Sequence, residues 1–145
     1  MSTFRALAPL VVIVALAAGC STSSATLTSP SSTLTASQLA GTWSLVSIQP
    51  AGQDEQATPA GATYAITFAD GRLSTRVDCN TCSGPFSLSG GTLTAGPAIA
   101  CTRAACRTME FENAYTRILG GEATVTLSGV SLVVSSPRGV LRFAR

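Results

Sequence analysis

Four cysteines, Cys79, Cys82, Cys101 and Cys106, follow the pattern Cys-x2-Cys then Cys-x4-Cys, and the fate of their sulfurs limits the fold more than any other feature. Four thiolates so spaced could close a tetrahedral structural zinc site. The step Cys79-Asn80-Thr81-Cys82 could be a redox dithiol. Two structural disulfides are the third reading. Compartment separates the three, because thiols oxidise outside the cytosol and free thiolate quartets do not persist there. A redox Cys-x-x-Cys also belongs at a helix start, where the dipole stabilises the thiolate. Here Cys82 precedes Ser83-Gly84-Pro85, which reads as a turn. Disulfides are therefore expected, with three pairings available. The nested one, Cys79–Cys106 with Cys82–Cys101, suits two segments lying side by side in opposite directions. The local one, Cys79–Cys82 with Cys101–Cys106, stays open, although a two-residue loop is strained and restricts the unfolded chain little. Closing the longer, 28-residue loop is worth about 3 kcal/mol in the chain-entropy picture.

The first twenty residues supply the compartment. Arg5 is their one charge, and Leu7 to Ala18 is almost wholly apolar apart from Pro9. A positive tip before a short greasy run is the pattern of an export signal, too short to span a bilayer comfortably. The run ends in Leu16-Ala17-Ala18-Gly19-Cys20, which resembles the lipobox of bacterial lipoproteins, with Ala17 where an aliphatic residue is usual. That resemblance implies removal of residues 1–19 and acylation of Cys20, with palmitate-type chains each contributing about 0.8 kcal/mol per buried methylene. A soluble secreted protein cut near Ala18 is the plainer alternative. Residues 21–37 hold twelve Ser or Thr in seventeen, too polar to offset chain entropy by burial. Residues 20–37 thus read as lipidated Cys20 plus a tether, and residues 38–145 as the folded domain. A core of that size is modest, and covalent staples would help it.

Missing residue types exclude most familiar chemistry. The 145-residue chain has no histidine and no lysine, and its formal charge is +2. Without His there is no Ser-His-Asp or Cys-His pair and no imidazole ligand. Without Lys there is no Schiff base and no P-loop lysine. Removing residues 1–19 leaves eight arginines against seven acids, scattered singly, which offers no footprint for nucleic acid. No Gly-x-Ser-x-Gly elbow occurs. No catalytic residue, cofactor or metal is assigned.

The periodicity is mostly that of strands. Trp43 and Leu45 alternate in a run reaching Ile48; Tyr64, Ile66 and Phe68 alternate, and Asp70-Gly71 turns the chain into Leu73 to Val77. Phe86 and Leu88, then Leu93, then Val125 to Leu127, Leu132 to Val134 and Val140 to Phe143 follow, with glycine-containing turns between. Pro50 to Gly61 reads as a loop. From Thr108 to Leu119, Phe111, Ala114, Tyr115, Ile118 and Leu119 mark one face of an amphipathic helix, stopped by Gly120-Gly121. The expected class is α+β: a small, strongly curved antiparallel sheet, a partial barrel, with this one helix covering its open side.

These residues resemble the META domain of HslJ-like bacterial envelope lipoproteins. The resemblance rests on Leu39-x-Gly41-Thr42-Trp43-x-Leu45, Ile66-x-Phe68, Cys79-Asn80, Gly84-x-Phe86, Thr102-x-x-Ala105-Cys106 and Glu112-x-x-Tyr115-x-x-x-Leu119. Asp78 stands where glycine often precedes Cys-Asn, Ala104 where methionine is common, and Cys82 and Cys101 are additional. The resemblance implies a small α+β envelope domain and supports pairing Cys79 with Cys106. It links members loosely to heat or antibiotic stress and to secretion or virulence, and implies no catalytic residues.

Arg76, Asp78, Asn80 and Arg103 cluster around the cysteines as a candidate recognition patch. The plainer account has Asn80 bonding its own turn and Asp78 pairing with an arginine. Glu110 and Glu112, two apart on a helix, point in different directions and make a poor acid–base pair. Trp43 reads as core rather than as a stacking platform. The function expected is a lipid-anchored, non-enzymatic binding or stress-protection module, its partner an envelope protein or small molecule. Alternatives are an inhibitor of a protease or cell-wall hydrolase acting through the loop Gly52 to Gly61, and a thiol–disulfide oxidoreductase using Cys79 and Cys82. Because Ser21 is not aspartate, the resemblance to sorted lipoproteins implies the outer membrane in a two-membrane cell; otherwise the anchor sits on the outer face of the plasma membrane.

Overall fold

The computed structural model describes residues 33–96 and 99–145; the expected export segment, Cys20 and most of the expected tether lie outside them. Elements follow in chain order as α1 (Ala36–Leu39), β1 (Gly41–Pro50), β2 (Gln56–Ala57), β3 (Tyr64–Ala69), β4 (Arg72–Val77) and β5 (Asn80–Ser89). Then come β6 (Thr92–Ala95), β7 (Ala100–Cys101), α2 (Met109–Leu119), β8 (Gly121–Ser128), β9 (Ser131–Ser136) and β10 (Gly139–Ala144). The period-2 pattern sets the inner wall: Trp43, Tyr64, Ile66, Phe68, Leu73, Leu132, Val134, Leu141 and Phe143 are buried while their neighbours face out. Tight turns join the strands. Asp70 and Gly71, at φ +50° and +72°, form the two-residue turn whose twist matches that of the strands it joins.

The sheet does not stay open. Strands β1, β3, β4, β5, β6, β8, β9 and β10 pair antiparallel in that order, and β10 pairs back onto β1. The partial barrel expected from the sequence is therefore a closed eight-stranded up-and-down barrel, within the α+β class. Closure leaves no open side for the helix, so α2 lies across one mouth and packs on β1, β9 and β10. An extra residue in β1, Val46, lies at a register shift between Leu45 and Ser47 against β10. That bulge bends the strand and puts Val46 and Ser47 in succession on the outer face, where Glu55 covers Ser47, before Ile48 returns to the core.

Ser83-Gly84-Pro85 is not a turn. It lies within β5, where Pro85 pairs with Arg72 and its carbonyl accepts from Gly96 N. Pro85 falls where the neighbour on that flank changes from β7 to β6, so no ladder donor is lost by the missing N–H. Structure also begins before Gln38. Leu34 packs against the core, and Thr35 and Gln38 form a capping box on the single turn of α1. Trp43 Nε1 donates to Leu39 O at 2.8 Å, and Arg145 lies 3.9 Å from the Trp43 ring centroid while donating to Ala40 O. These contacts fasten α1 at the mouth opposite α2.

Tyr115 projects from α2 into the barrel, fully buried, its hydroxyl 2.6 Å from that of Thr75. Because Thr75 donates to Ala65 O, Tyr115 is the donor to Thr75. Burial holds this phenol protonated far above the ordinary value of 10.0. In the unfolded chain it titrates normally, so its contribution to stability is complete below pH 10 and is lost as pH rises beyond it. We expect urea-unfolding free energies to fall by up to about 1.4 kcal/mol per pH unit above pH 10, and Tyr115→Phe to flatten that slope. An equally steep fall in the variant would show that Tyr115 is not its source.

Candidate functional site

The α2 mouth gathers the chemistry-bearing side chains. Disulfides join Cys79 to Cys106 and Cys82 to Cys101, with Cα–Cα separations of 5.7 and 4.0 Å. This is the nested arrangement, and a register explains it: β7 runs antiparallel to β5 with Cys82 opposite Cys101. The outer bridge ties the β4–β5 turn to the segment leading into α2. Cys79 and Cys82 bond to different partners, so the Cys79–Cys82 dithiol is not formed. All four sulfurs are likewise unavailable as zinc thiolates, and the described residues hold no metal-binding cluster.

Between the bridges sits Asn80, 1% exposed. Its Oδ1 accepts from Thr102 Oγ1 and Ala104 N, both at 2.8 Å. Its Nδ2 donates to Ala104 O at 3.0 Å and reaches both oxygens of the Glu112 carboxylate at 3.0 and 3.1 Å. Asn80 thus bonds the facing loop and the helix rather than its own turn, as the plainer account held. Thr102 Oγ1 in turn accepts from Thr81 N. Glu112, set aside on the sequence as half of a poor acid–base pair, is the group whose burial and contact with Asn80 sequence reasoning missed. It is buried while Glu110 is exposed, and its spacing of three and seven to Tyr115 and Leu119 places it on the buried stripe.

Asp78 occupies the left-handed region, φ +59°, at the first position of the turn between β4 and β5. Its carboxylate pairs with no arginine. It accepts from Thr108 Oγ1 at 2.7 Å, and that oxygen accepts from Tyr64 OH at 2.8 Å. Thr108 precedes α2 yet makes no side-chain cap bond to it, because its hydroxyl is committed to this chain. Burial pushes the Tyr64 phenol up, and the nearby Asp78 carboxylate adds to the rise. Glycine, which the resemblance places before Cys-Asn, would suit this left-handed position. Asp78→Gly would relieve about 1–2 kcal/mol of left-handed strain while losing a bond of similar worth. Asp78→Ala loses the bond and keeps the strain. We expect thermal unfolding to rank Asp78→Ala about 1–2 kcal/mol below Asp78→Gly; the reverse order would sink this account.

The four patch residues do not form one surface. Asn80 is interior and Asp78 half-buried, while Arg76 is exposed on β4 and donates to Asp78 O at 3.2 Å. Arg103 is exposed and lines a cleft of about 310 Å³ with Thr102, Met109, Glu112 and Asn113. The loop proposed as an inhibitory plug is held to the wall. β2 pairs with Ser47 and Ile48, Thr58 Oγ1 donates to Leu45 O, and Glu55 contacts Ser47 and Arg142. Trp43 is 0% exposed and belongs to the core.

Residues 32–145 match the META domain family. No curated protein matches the chain. Among solved structures, a protein from Burkholderia xenovorans studied by NMR is 24% identical, with 76% of this chain and 85% of that one covered at a TM-score of 0.62. A second protein solved by NMR is 27% identical, with 77% and 94% covered and a TM-score of 0.62. A DUF4847 family protein from Bacteroides vulgatus is 18% identical, with 73% and 92% covered and a TM-score of 0.52. At 24% and 18% identity the first and third likenesses concern the fold alone.

Proposed function

The chain belongs to the META domain family, and from that premise we propose a lipid-anchored envelope module that works by binding, without catalysis, through the mouth covered by α2. One observation carries the reading. The polar groups buried at that mouth, Asn80, Glu112, Asp78 and Thr108, are bonded to one another or to backbone, and two disulfides brace the same segments. Such an end is rigid, and it presents a preorganised surface at little entropic cost on association. The anchor follows from Cys20 and the Ser/Thr-rich tether. The tether leads into α1, at the mouth opposite α2. In a two-membrane host the outer membrane is the expected site, and the role is stress protection or recognition of an envelope component.

The test uses the full chain in its host membranes. Labelled palmitate should be incorporated into the protein and not into its Cys20→Ala variant. A photo-crosslinking residue at exposed Asn113 on α2 should give adducts that one at exposed Ser87 on the barrel wall does not. No label in the protein that carries Cys20, or equal label in both, would overturn the anchor. Equal labelling from both positions, or none from Asn113, would overturn the assignment of the binding mouth.

A further inference from the structure

A groove of about 370 Å³ runs between α2 and the segment from Pro50 to Gln56. Its floor is apolar, made by Phe111, Ala114 and Ile118, three residues that recur on one face of α2. Its rims carry the side-chain amides of Gln53, Gln56 and Asn113, groups that both donate and accept. One end is walled. The β9–β10 turn is fastened there by Ala51 N donating to Arg138 O at 2.9 Å, and Gly139 lies against Pro50 and Ile118.

Two guanidinium groups stand at that walled end, Arg138 on the turn and Arg117 in the last turn of α2. Among the described residues, neither side chain has a carboxylate or hydrogen-bond partner; the ion pair found there joins Arg142 to Glu55. Gly121 leaves the room Arg138 occupies, since a Cβ at Gly121 would come within 2.9 Å of Nη2. Glu110 lines the groove as well, seven residues before Arg117, about 10 Å away along the helix axis. That is the span of about three extended residues.

We propose that this groove binds the C-terminal end of a short peptide, about three residues deep. The terminal carboxylate lies between Arg117 and Arg138, where a planar guanidinium can hold two oxygens at once. Backbone amides of the peptide meet Gln53, Gln56 and Asn113, and a small apolar side chain rests on Ala114. A chain end suits a walled groove, whereas an internal acidic residue would require the peptide to continue through the β9–β10 turn. Glu110 sets direction, accepting from a peptide N–H or a cation at the other end. The inference rests on the binding reading above and names the class of partner.

The test titrates the full chain in detergent with three probes: acetyl-Ala-Ala-Ala bearing a free carboxylate, its C-terminal carboxamide, and acetyl-Ala-Asp-Ala-carboxamide. The free acid should bind at least tenfold more tightly than either amide. Arg117→Gln and Arg138→Gln should each weaken it about tenfold, while Arg72→Gln at the opposite mouth leaves it unchanged. Both groove arginines are exposed, so these variants are expected to fold, and thermal unfolding checks that they do. Equal binding of acid and carboxamide, or none of either, would overturn the proposal. So would acid binding indifferent to both arginine substitutions. Binding of the internal aspartate probe as tight as that of the free acid would overturn the chain end as the source of the carboxylate. If the probes fail while adducts from Asn113 persist, the peptide proposal falls and the binding module stands.

Discussion

Replacing Asn80 by alanine is expected to remove about 3 kcal/mol of stability, the largest loss for any single polar side chain in the domain. The substitution deletes both acceptor bonds on Oδ1 and the donor bonds to Ala104 O and Glu112 at once. Buried groups left without partners cost about 1–3 kcal/mol each, more when one is charged. Local relaxation and entering water offset part of the sum. Glu112 is the sharper problem, because Asn80 supplies the side-chain hydrogen bonds its buried carboxylate accepts. Asn80→Asp keeps the shape but sets a second carboxylate against the first, and it should be at least as destabilising at neutral pH. Adding Glu112→Gln to Asn80→Asp exchanges donor and acceptor across the contact and should restore more than 1 kcal/mol, the size typical of direct coupling. Urea titrations of the four proteins measure this. Additive losses in the double variant would show that Asn80 and Glu112 act independently, and the account of the braced mouth would fail.

Removing a disulfide should have an effect of the same order, and the two bridges should differ. Cys79 and Cys106 are 27 residues apart, Cys82 and Cys101 are 19 apart, and each bridge taken singly restricts the unfolded chain by about 3 kcal/mol. Their surroundings are unlike. Cys79 is exposed, whereas Cys82 is 0% exposed and part of the core. Changing Cys82 and Cys101 to alanine therefore adds a packing loss to the entropic one, and this pair should be the costlier to lose. Changing Cys79 and Cys106 frees the segment before α2, which Asn80 and Asp78 still hold. Reduction should follow exposure. A mild reductant should give a species with Cys79 and Cys106 alkylated while Cys82–Cys101 survives, read by peptide mass mapping. Simultaneous alkylation of all four cysteines, or prior opening of the inner bridge, would contradict the burial that separates them.

Much of this was legible in the residues. The alternation of Tyr64, Ile66 and Phe68 placed a strand because side chains on extended backbone alternate faces whatever the tertiary setting. Asp70-Gly71 marked its turn because two consecutive positive φ values suit few residue pairs. The helix was set by Phe111, Ala114, Tyr115, Ile118 and Leu119, and their stripe also takes in Glu112, which is buried with them. Less was legible wherever partners are distant. Pro85 looked like a breaker because the change of neighbour from β7 to β6 cannot be seen locally. Asn80 and Thr102 each adjoin a bridged cysteine, the one signal that they would meet.

What the chain determines alone is local: where strands and turns fall, which helical face is greasy, and how its cysteines are spaced. Each depends on chemistry within a few residues, which sequence order preserves. Only the assembled structure decided that β10 returns to β1 and closes the barrel, sending α2 to a mouth instead of a side. It also decided that Asn80 meets Glu112 and that Arg117 and Arg138 share the end of one groove. Those outcomes depend on twist and register accumulated over eight strands, and a shift of one residue in any pairing would have turned the same side chains to the other face.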